Sequence, residues 1–164
     1  MAGMVEQREK IPKDVEELKQ ALGAGQALHN AYVILLGLRE YETRALHRRV
    51  ERGLSYGAVE RLQRNILLSL HAMAALLSIP PRTLARRKER GRLDPAESDR
   101  LLRLSRVVAK AIALFDGDFH AARSWLFASQ RALGGVPPIE FAKTEVGAHE
   151  VEGLIGRLEH GIPS

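Results

Sequence analysis

Apolar residues return every three or four positions along most of this chain, and the strict alternation of a half-buried strand is nearly absent. The spacing predicts a first helix over Val15–Leu22, closed by the glycines of "GAG". A second covers Thr43–Arg52 and stops at Gly53. A third begins after Ser55 and carries Val59, Leu62 and Ile66 on one face. Ser69 is placed to cap "LHAMAALL", because its hydroxyl can accept from an otherwise unpaired amide in the first turn. The exception is "YVILLGL" (Tyr32–Leu38), short and partly β-branched, which fits either a strand or the start of a buried helix.

The strongest helix start is "DPAE". Asp94 is the N-cap, Pro95 occupies the first helical position, and Glu97 can bond back to the Asp94 amide. Leu101, Leu104, Val108, Ala111 and Phe115 then continue at helical spacing until "DGD" (Asp116–Asp118) breaks the run. Asp118 is positioned to cap a short helix holding Trp125 and Leu126, and "LGGVPP" reads as a sharp turn. Thr144 caps a last helix with the stripe Val151, Leu154, Ile155 and Leu158. Gly161 falls where a left-handed helix cap belongs, and Pro163 bars continuation. The expected architecture is all-α, without internal repeats. It divides into an N-terminal helical extension over 1–54, a central unit over 55–115 and a small C-terminal unit over 116–164. The extension is a candidate self-association region.

Composition narrows the class. A chain of 164 residues with 45% hydrophobic content suits one compact domain or two small ones sharing a core. No apolar run is long enough for a membrane span, and "MAGMVEQREKIPKD" lacks the apolar stretch of a secretory signal, so a cytoplasmic protein is expected. Cysteine is absent, which excludes disulfides, thiolate nucleophiles and thiolate metal sites together. The net charge of +5 is unevenly spread. Arg82, Arg86, Arg87, Lys88, Arg90, Arg92, Arg100, Arg103 and Arg106 outnumber the acids between them, whereas Glu140, Glu145, Glu150, Glu152 and Glu159 dominate the end of the chain. A basic face for one partner and an acidic tail for another is the simplest reading.

"LHAMAALLSIPPRTLARRKE" (Leu70–Glu89) has the size pattern of a helix-turn-helix. Two short helices that cross steeply need a small residue at their contact, which is Ala74, and a tolerant residue in the turn, which is Ser78. Met73, Leu77, Ile79 and Leu84 supply the apolar anchors, and Pro80 and Pro81 favour starting a new helix. On the second helix Leu84 and Ala85 are expected to point inward. Arg82, Arg86 and Arg90 share one stripe, and Thr83 and Arg87 make the next. A charge run by itself is more often a solvated face. Combined with the apolar template, it suits a helix entering the DNA major groove, where arginine bonds guanine bidentately and other cations neutralise phosphates. One such motif binds weakly, so a symmetric homodimer, or a higher homo-oligomer, on operator double-stranded DNA is expected. Aromatics make up 5% of the chain, too few for a single-strand stacking platform.

Catalytic patterns are missing. There is no glycine-rich phosphate loop, no Gly-x-Ser-x-Gly elbow and no His-Glu-x-x-His, since His149-Glu150 continues as Val151-Glu152-Gly153. Asp116, Asp118 and His120 are better explained by a turn and a helix cap than by a metal, and Glu145 and His149 as an exposed pair. Trp125 reads as a core anchor. The expectation is a binding protein without enzyme activity, cofactor or metal.

Gly147, Gly153 and Gly156 interrupt the last helix, each costing about 1 kcal/mol against alanine. Either a backbone or partner surface approaches closely there, or the packing is loose. The stretch "AARSWLFASQRALGGVPPIEFAKTEVGAHEVEGLIGRLEHGIPS" resembles the toxin-binding domain of Xre/MbcA/ParS-type antitoxins. The resemblance is carried by Ala122, Trp125, Leu126, Ala132, Leu133, Gly134, Gly135, Pro138, Thr144, Glu145, Gly147, Val151 and Leu154. Upstream, "GLSYGAVERL", "IPPRTLARR" and "LDPAESDRLLRLSRV" are similar to the Xre/Cro-like helix-turn-helix half of the same family. "FASQ" (Phe127–Gln130) departs from it, because many members carry a proline there.

That resemblance implies a chain that binds and neutralises a RES-domain toxin, which consumes NAD, and that represses its own operon through the helix-turn-helix. DNA contacts would fall to Arg82, Thr83, Arg86, Arg87 and Arg90. Toxin contacts would fall to Glu159, His160, Gly161, Ile162, Pro163 and Ser164, with the Glu159 and Ser164 carboxylates lodged in a basic pyrophosphate-holding site. The other reading is a stand-alone helix-turn-helix regulator without a toxin partner.

Overall fold

The computed structural model describes residues 12–26 and 29–162. Among them are ten α-helices and no strand: α1 Val15–Gly23, α2 Ala31–Leu35, α3 Thr43–Glu51, α4 Tyr56–Asn65, α5 Leu70–Leu76, α6 Pro81–Arg90, α7 Pro95–Leu114, α8 Phe119–Phe127, α9 Pro138–Phe141 and α10 Glu145–Glu159. The all-α expectation holds, and "YVILLGL" resolves to the buried helix α2.

The caps act where the spacing places them. Ser69 Oγ accepts the Ala72 amide at 3.1 Å, Asp118 Oδ1 the Ala121 amide at 2.9 Å and Thr144 Oγ1 the Gly147 amide at 3.0 Å. Glu97 accepts the Asp94 amide at 2.8 Å, the returning half of a capping box.

The 20-residue α7 is the axis of the molecule. Leu101, Leu104, Val107, Val108, Ala111 and Ile112 are buried along it, and α2, α3, α8 and α10 pack around it. One continuous apolar cluster therefore runs from Leu18 to Ile155. Helix α2 is buried because its residues face α7 on one side and α1 and α4 on the other. Three side chains pin its carbonyl side to the rest of the chain. Ser105 Oγ donates to Tyr32 O at 2.8 Å, Asn65 Nδ2 to Leu35 O at 3.1 Å and Arg61 Nη1 to Gly37 O at 2.9 Å. The apolar side chains of "YVILLGL" are thus consumed within the chain's own core.

The "LGGVPP" turn is more structured than its glycines and prolines suggest. A 3-10 turn over Arg131–Leu133 leads into Gly134 and Gly135, both at positive φ, and the two prolines then start α9. Gln130 Nε2 donates to Trp125 O at 3.3 Å and Ala128 O at 3.2 Å, fastening the entry to this turn. Trp125 is half-buried, with its ring 6.4 Å from Phe115, and flanks the core instead of anchoring it.

Candidate functional site

Helices α5 and α6 form the expected helix-turn-helix. Met73, Ala74, Leu77, Ile79 and Leu84 are all buried. Ser78 adopts φ +52°, the left-handed conformation that turns the chain, and the Ile79 amide reaches back to Ala74 O at 3.0 Å. Pro81 opens α6 and Gly91, at φ +77°, ends it. Only Leu84 of α6 is buried. Ala85 is exposed, contrary to the expectation that it points inward, because a ten-residue helix held at one edge hides a stripe only one residue wide.

The five predicted DNA-contact residues of α6 divide into two groups. Arg82 and Arg86 are exposed and meet no carboxylate among the described residues, and Arg86 Nη2 donates to the Thr83 hydroxyl at 3.4 Å. Arg90 is exposed but pairs with Asp94 at 2.5 Å. Arg87 turns the other way: its side chain is 16% exposed and bonds Glu97 at 2.7 and 3.0 Å as well as Asp94. The Glu97 hydrogen bond keeps this guanidinium charged beyond its ordinary range, against the opposing pull of its desolvation. Burial pushes the Glu97 carboxyl up, but the Arg87 hydrogen bond and the Asp94 amide outweigh it and hold the group below its usual value. Arg87 therefore fastens α6 to the first turn of α7 and is not free to reach a base edge.

The acidic end of the chain is also partly spoken for. Glu145 meets Arg106 at 2.9 Å and Arg103 at 3.5 Å, while Glu152 meets Arg106 and, at 3.1 Å, Lys110. Arg103 Nη2 additionally donates to Lys143 O at 3.0 Å. Arg103, Arg106 and Lys110 on α7 thus pair with Glu145 and Glu152 on α10, which removes these five charges from the expected basic face and acidic tail. Sequence reasoning missed these pairs, though their signal exists: Arg103 and Lys110 are two turns apart on one helix, as are Glu145 and Glu152 on the other.

The glycines of α10 differ among themselves. A Cβ at Gly147 would lie 1.8 Å from Phe141 O, so a backbone does approach there. Gly153 and Gly156 meet no such backbone, and Gly156 has nothing within 4 Å. Gly156 instead borders an open groove of about 300 Å³ between α2, α7 and α10, with Ala109, Ala113 and Ile155 in its walls and Glu159 at its end. Glu159 forms no ion pair among the described residues. Beyond it the chain closes as a Schellman motif: Gly161, at φ +65°, sends its amide to Leu158 O at 3.2 Å, and the Ile162 amide reaches Arg157 O at 2.9 Å. His160, Gly161 and Ile162 are exposed, and Pro163 and Ser164 lie outside the described residues. No group of three or more potential metal ligands occurs among the described residues.

Comparison with known proteins finds two family matches along the chain. Residues 45–106 match the family described as the antitoxin Xre-like helix-turn-helix domain. Residues 110–161 match the antitoxin Xre/MbcA/ParS C-terminal toxin-binding domain. An antitoxin Xre of Yersinia enterocolitica is 37% identical over 136 residues, spanning 74% of this chain and 92% of the relative. An antitoxin Xre of Photorhabdus laumondii is 36% identical over 113 residues, spanning 68% and 76% respectively. With an exposed-arginine helix-turn-helix and a glycine-interrupted C-terminal module built around one shared helix, the chain belongs to the Xre antitoxin family.

Proposed function

We propose that this chain is the antitoxin of a RES–Xre pair: it neutralises a RES-domain, NAD-consuming toxin by occluding its active site, and represses its own operon as a homodimer or higher homo-oligomer on operator DNA. The observation that carries the reading is the succession of the two family matches along one chain, a DNA-binding unit followed by a toxin-binding one. The protein acts by binding and not by catalysis, and it does so in the bacterial cytoplasm. No helix of the described residues is long and apolar enough to cross a membrane. Functionally the chain divides into the extension 1–54, the DNA-binding part 55–115 and the toxin-binding part 116–164.

Arg82, Thr83, Arg86 and Arg90 form the DNA-reading surface of α6, and Arg87 supports it from behind. Glu159, His160, Gly161, Ile162, Pro163 and Ser164 form the occluding segment. Its support is the Schellman closure, which gives the chain a fixed exit direction after α10, together with the unpaired charge of Glu159. A dinucleotide-cleaving site needs cations to hold a pyrophosphate, so a carboxylate at its mouth competes for them. Deleting Glu159–Ser164 is expected to restore NAD loss in cells co-expressing the toxin; a truncated chain that still protects would defeat the occlusion reading. In the stand-alone regulator reading the same deletion leaves cell growth and NAD untouched whatever the neighbouring gene encodes.

A further inference from the structure

Helix α3 carries a row of cations that neither the fold nor the recognition helix explains. Arg44, Arg48 and Arg52 recur every four residues at its face and its C-cap, all exposed. None of the three forms an ion pair among the described residues: Glu51 is engaged by His47 at 3.4 Å, and Glu40 by the half-buried Arg49 at 3.7 Å. Cations near the end of a helix favour its macrodipole, which would account for Arg48 and Arg52. Arg44 lies in the first turn, where the same dipole opposes a positive charge. The carbonyl at the end of α3 is already satisfied, since Arg92 Nη1 donates to Arg52 O at 2.9 Å. Helix stability therefore does not explain Arg44, nor the continuation of one row through all three.

Its location supplies a reason. The end of α3 and the end of α6 are tied together: Tyr56 N donates to Gly91 O at 2.9 Å, Leu93 N to Leu54 O at 2.9 Å, and Ser55 and Arg92 form an antiparallel bridge. Gly53 sits so close to Leu93 O that a Cβ there would approach to 2.1 Å. The row thus begins at the C-terminal end of the recognition helix, beside the exposed Arg92, and extends roughly 12 Å along α3 at the usual helical rise. Duplex DNA presents a negative charge every 1.7 Å or so of its axis, and phosphate contacts from arginine fix a protein on the duplex without reading sequence.

We propose that Arg44, Arg48 and Arg52 form a second, sequence-independent contact with double-stranded DNA, holding phosphates that flank the groove entered by α6. This rests on the reading of α6 as a DNA-binding helix, and the test separates the two. Binding of the full chain to its own promoter duplex and to a random duplex is measured by fluorescence anisotropy across a salt series. In the triple variant Arg44→Gln, Arg48→Gln, Arg52→Gln both affinities fall by the same factor. The slope of log K against log salt falls by about 2.7, roughly 0.9 for each phosphate lost, and the preference for promoter is kept. Arg82→Ala with Arg86→Ala instead erases the preference. Should the triple variant lose its helical circular dichroism, single substitutions are each expected to lower the slope by about 0.9. An unchanged slope in folded variants, with preference still dependent on Arg82 and Arg86, overturns this inference alone. No duplex binding by the parent chain overturns both.

Discussion

Arg87 Nε donates to Glu97 Oε2 at 2.7 Å, joining the recognition helix to the N-terminus of the helix that also carries α10. Glu97 is buried and simultaneously accepts the Asp94 amide, so one carboxylate holds both the start of α7 and the tilt of α6. Removing it strands a largely buried guanidinium and a helix cap together. Glu97→Ala is therefore expected to lower unfolding stability by about 2 kcal/mol or more in urea titration. Promoter affinity should fall with it, although Glu97 is buried behind Arg87, because α6 loses its fixed aim.

Acid should loosen the same joints. Asp94 is held below its ordinary value first by the Arg90 hydrogen bond, Glu145 first by the Arg106 hydrogen bond, and Glu97 by Arg87 and the Asp94 amide against its burial. Carboxyls depressed in the folded state stabilise it fully above their unfolded values near 4, and that contribution disappears as pH falls through the folded ones. The urea midpoint is expected to be flat down to about pH 5 and to decline steeply below about 4. In a chain carrying Glu97→Gln and Glu145→Gln the decline should be shallower, from a lower plateau.

Much of this was legible in the residues because local chemistry decides it. The caps at Ser69, Asp118 and Thr144, the capping box at Asp94 and Glu97, and the left-handed Gly161 are short-range features whose geometry follows from a few neighbouring residues. What escaped was set by distant partners. Arg87 has the same helical spacing as a groove-facing residue, and only the placement of α7 turns it inward. The charges of α10 looked like a separate acidic tail because pairing with Arg106 and Lys110 bridges about forty residues of sequence. "YVILLGL" was ambiguous since burial on all sides erases periodicity, whatever the backbone conformation.

The two ends of α10 should answer alanine with opposite signs. At Gly147 a methyl group collides with the Phe141 carbonyl, a backbone atom that cannot swing aside, so Gly147→Ala is expected to cost at least 2 kcal/mol. At Gly156 nothing lies within 4 Å, and alanine there gains helix propensity, so Gly156→Ala should stabilise by up to about 1 kcal/mol. Thermal unfolding of the two single variants checks both. Equal destabilisation would mean that Gly156 is needed by the isolated fold after all.

Two buried serines offer a finer test. Ser98 Oγ accepts the Leu54 amide at 2.8 Å and donates to Asp94 O at 2.8 Å, whereas Ser105 Oγ only donates, to Tyr32 O at 2.8 Å. Alanine at Ser98 leaves a buried N–H with no acceptor, and such orphaned amides are rarer and dearer than an under-satisfied carbonyl, which has two lone pairs. Ser98→Ala is expected to cost about 1–3 kcal/mol and Ser105→Ala about 1 kcal/mol or less. Hydrogen exchange adds a local readout. The Leu54 amide should exchange faster in Ser98→Ala by more than global destabilisation accounts for, because its own bond has gone. In Ser105→Ala the Leu54 amide should slow or quicken only in step with the whole molecule. Equal losses in the two variants, with Leu54 exchange tracking global stability in both, would show that another acceptor takes up that amide when the hydroxyl is removed.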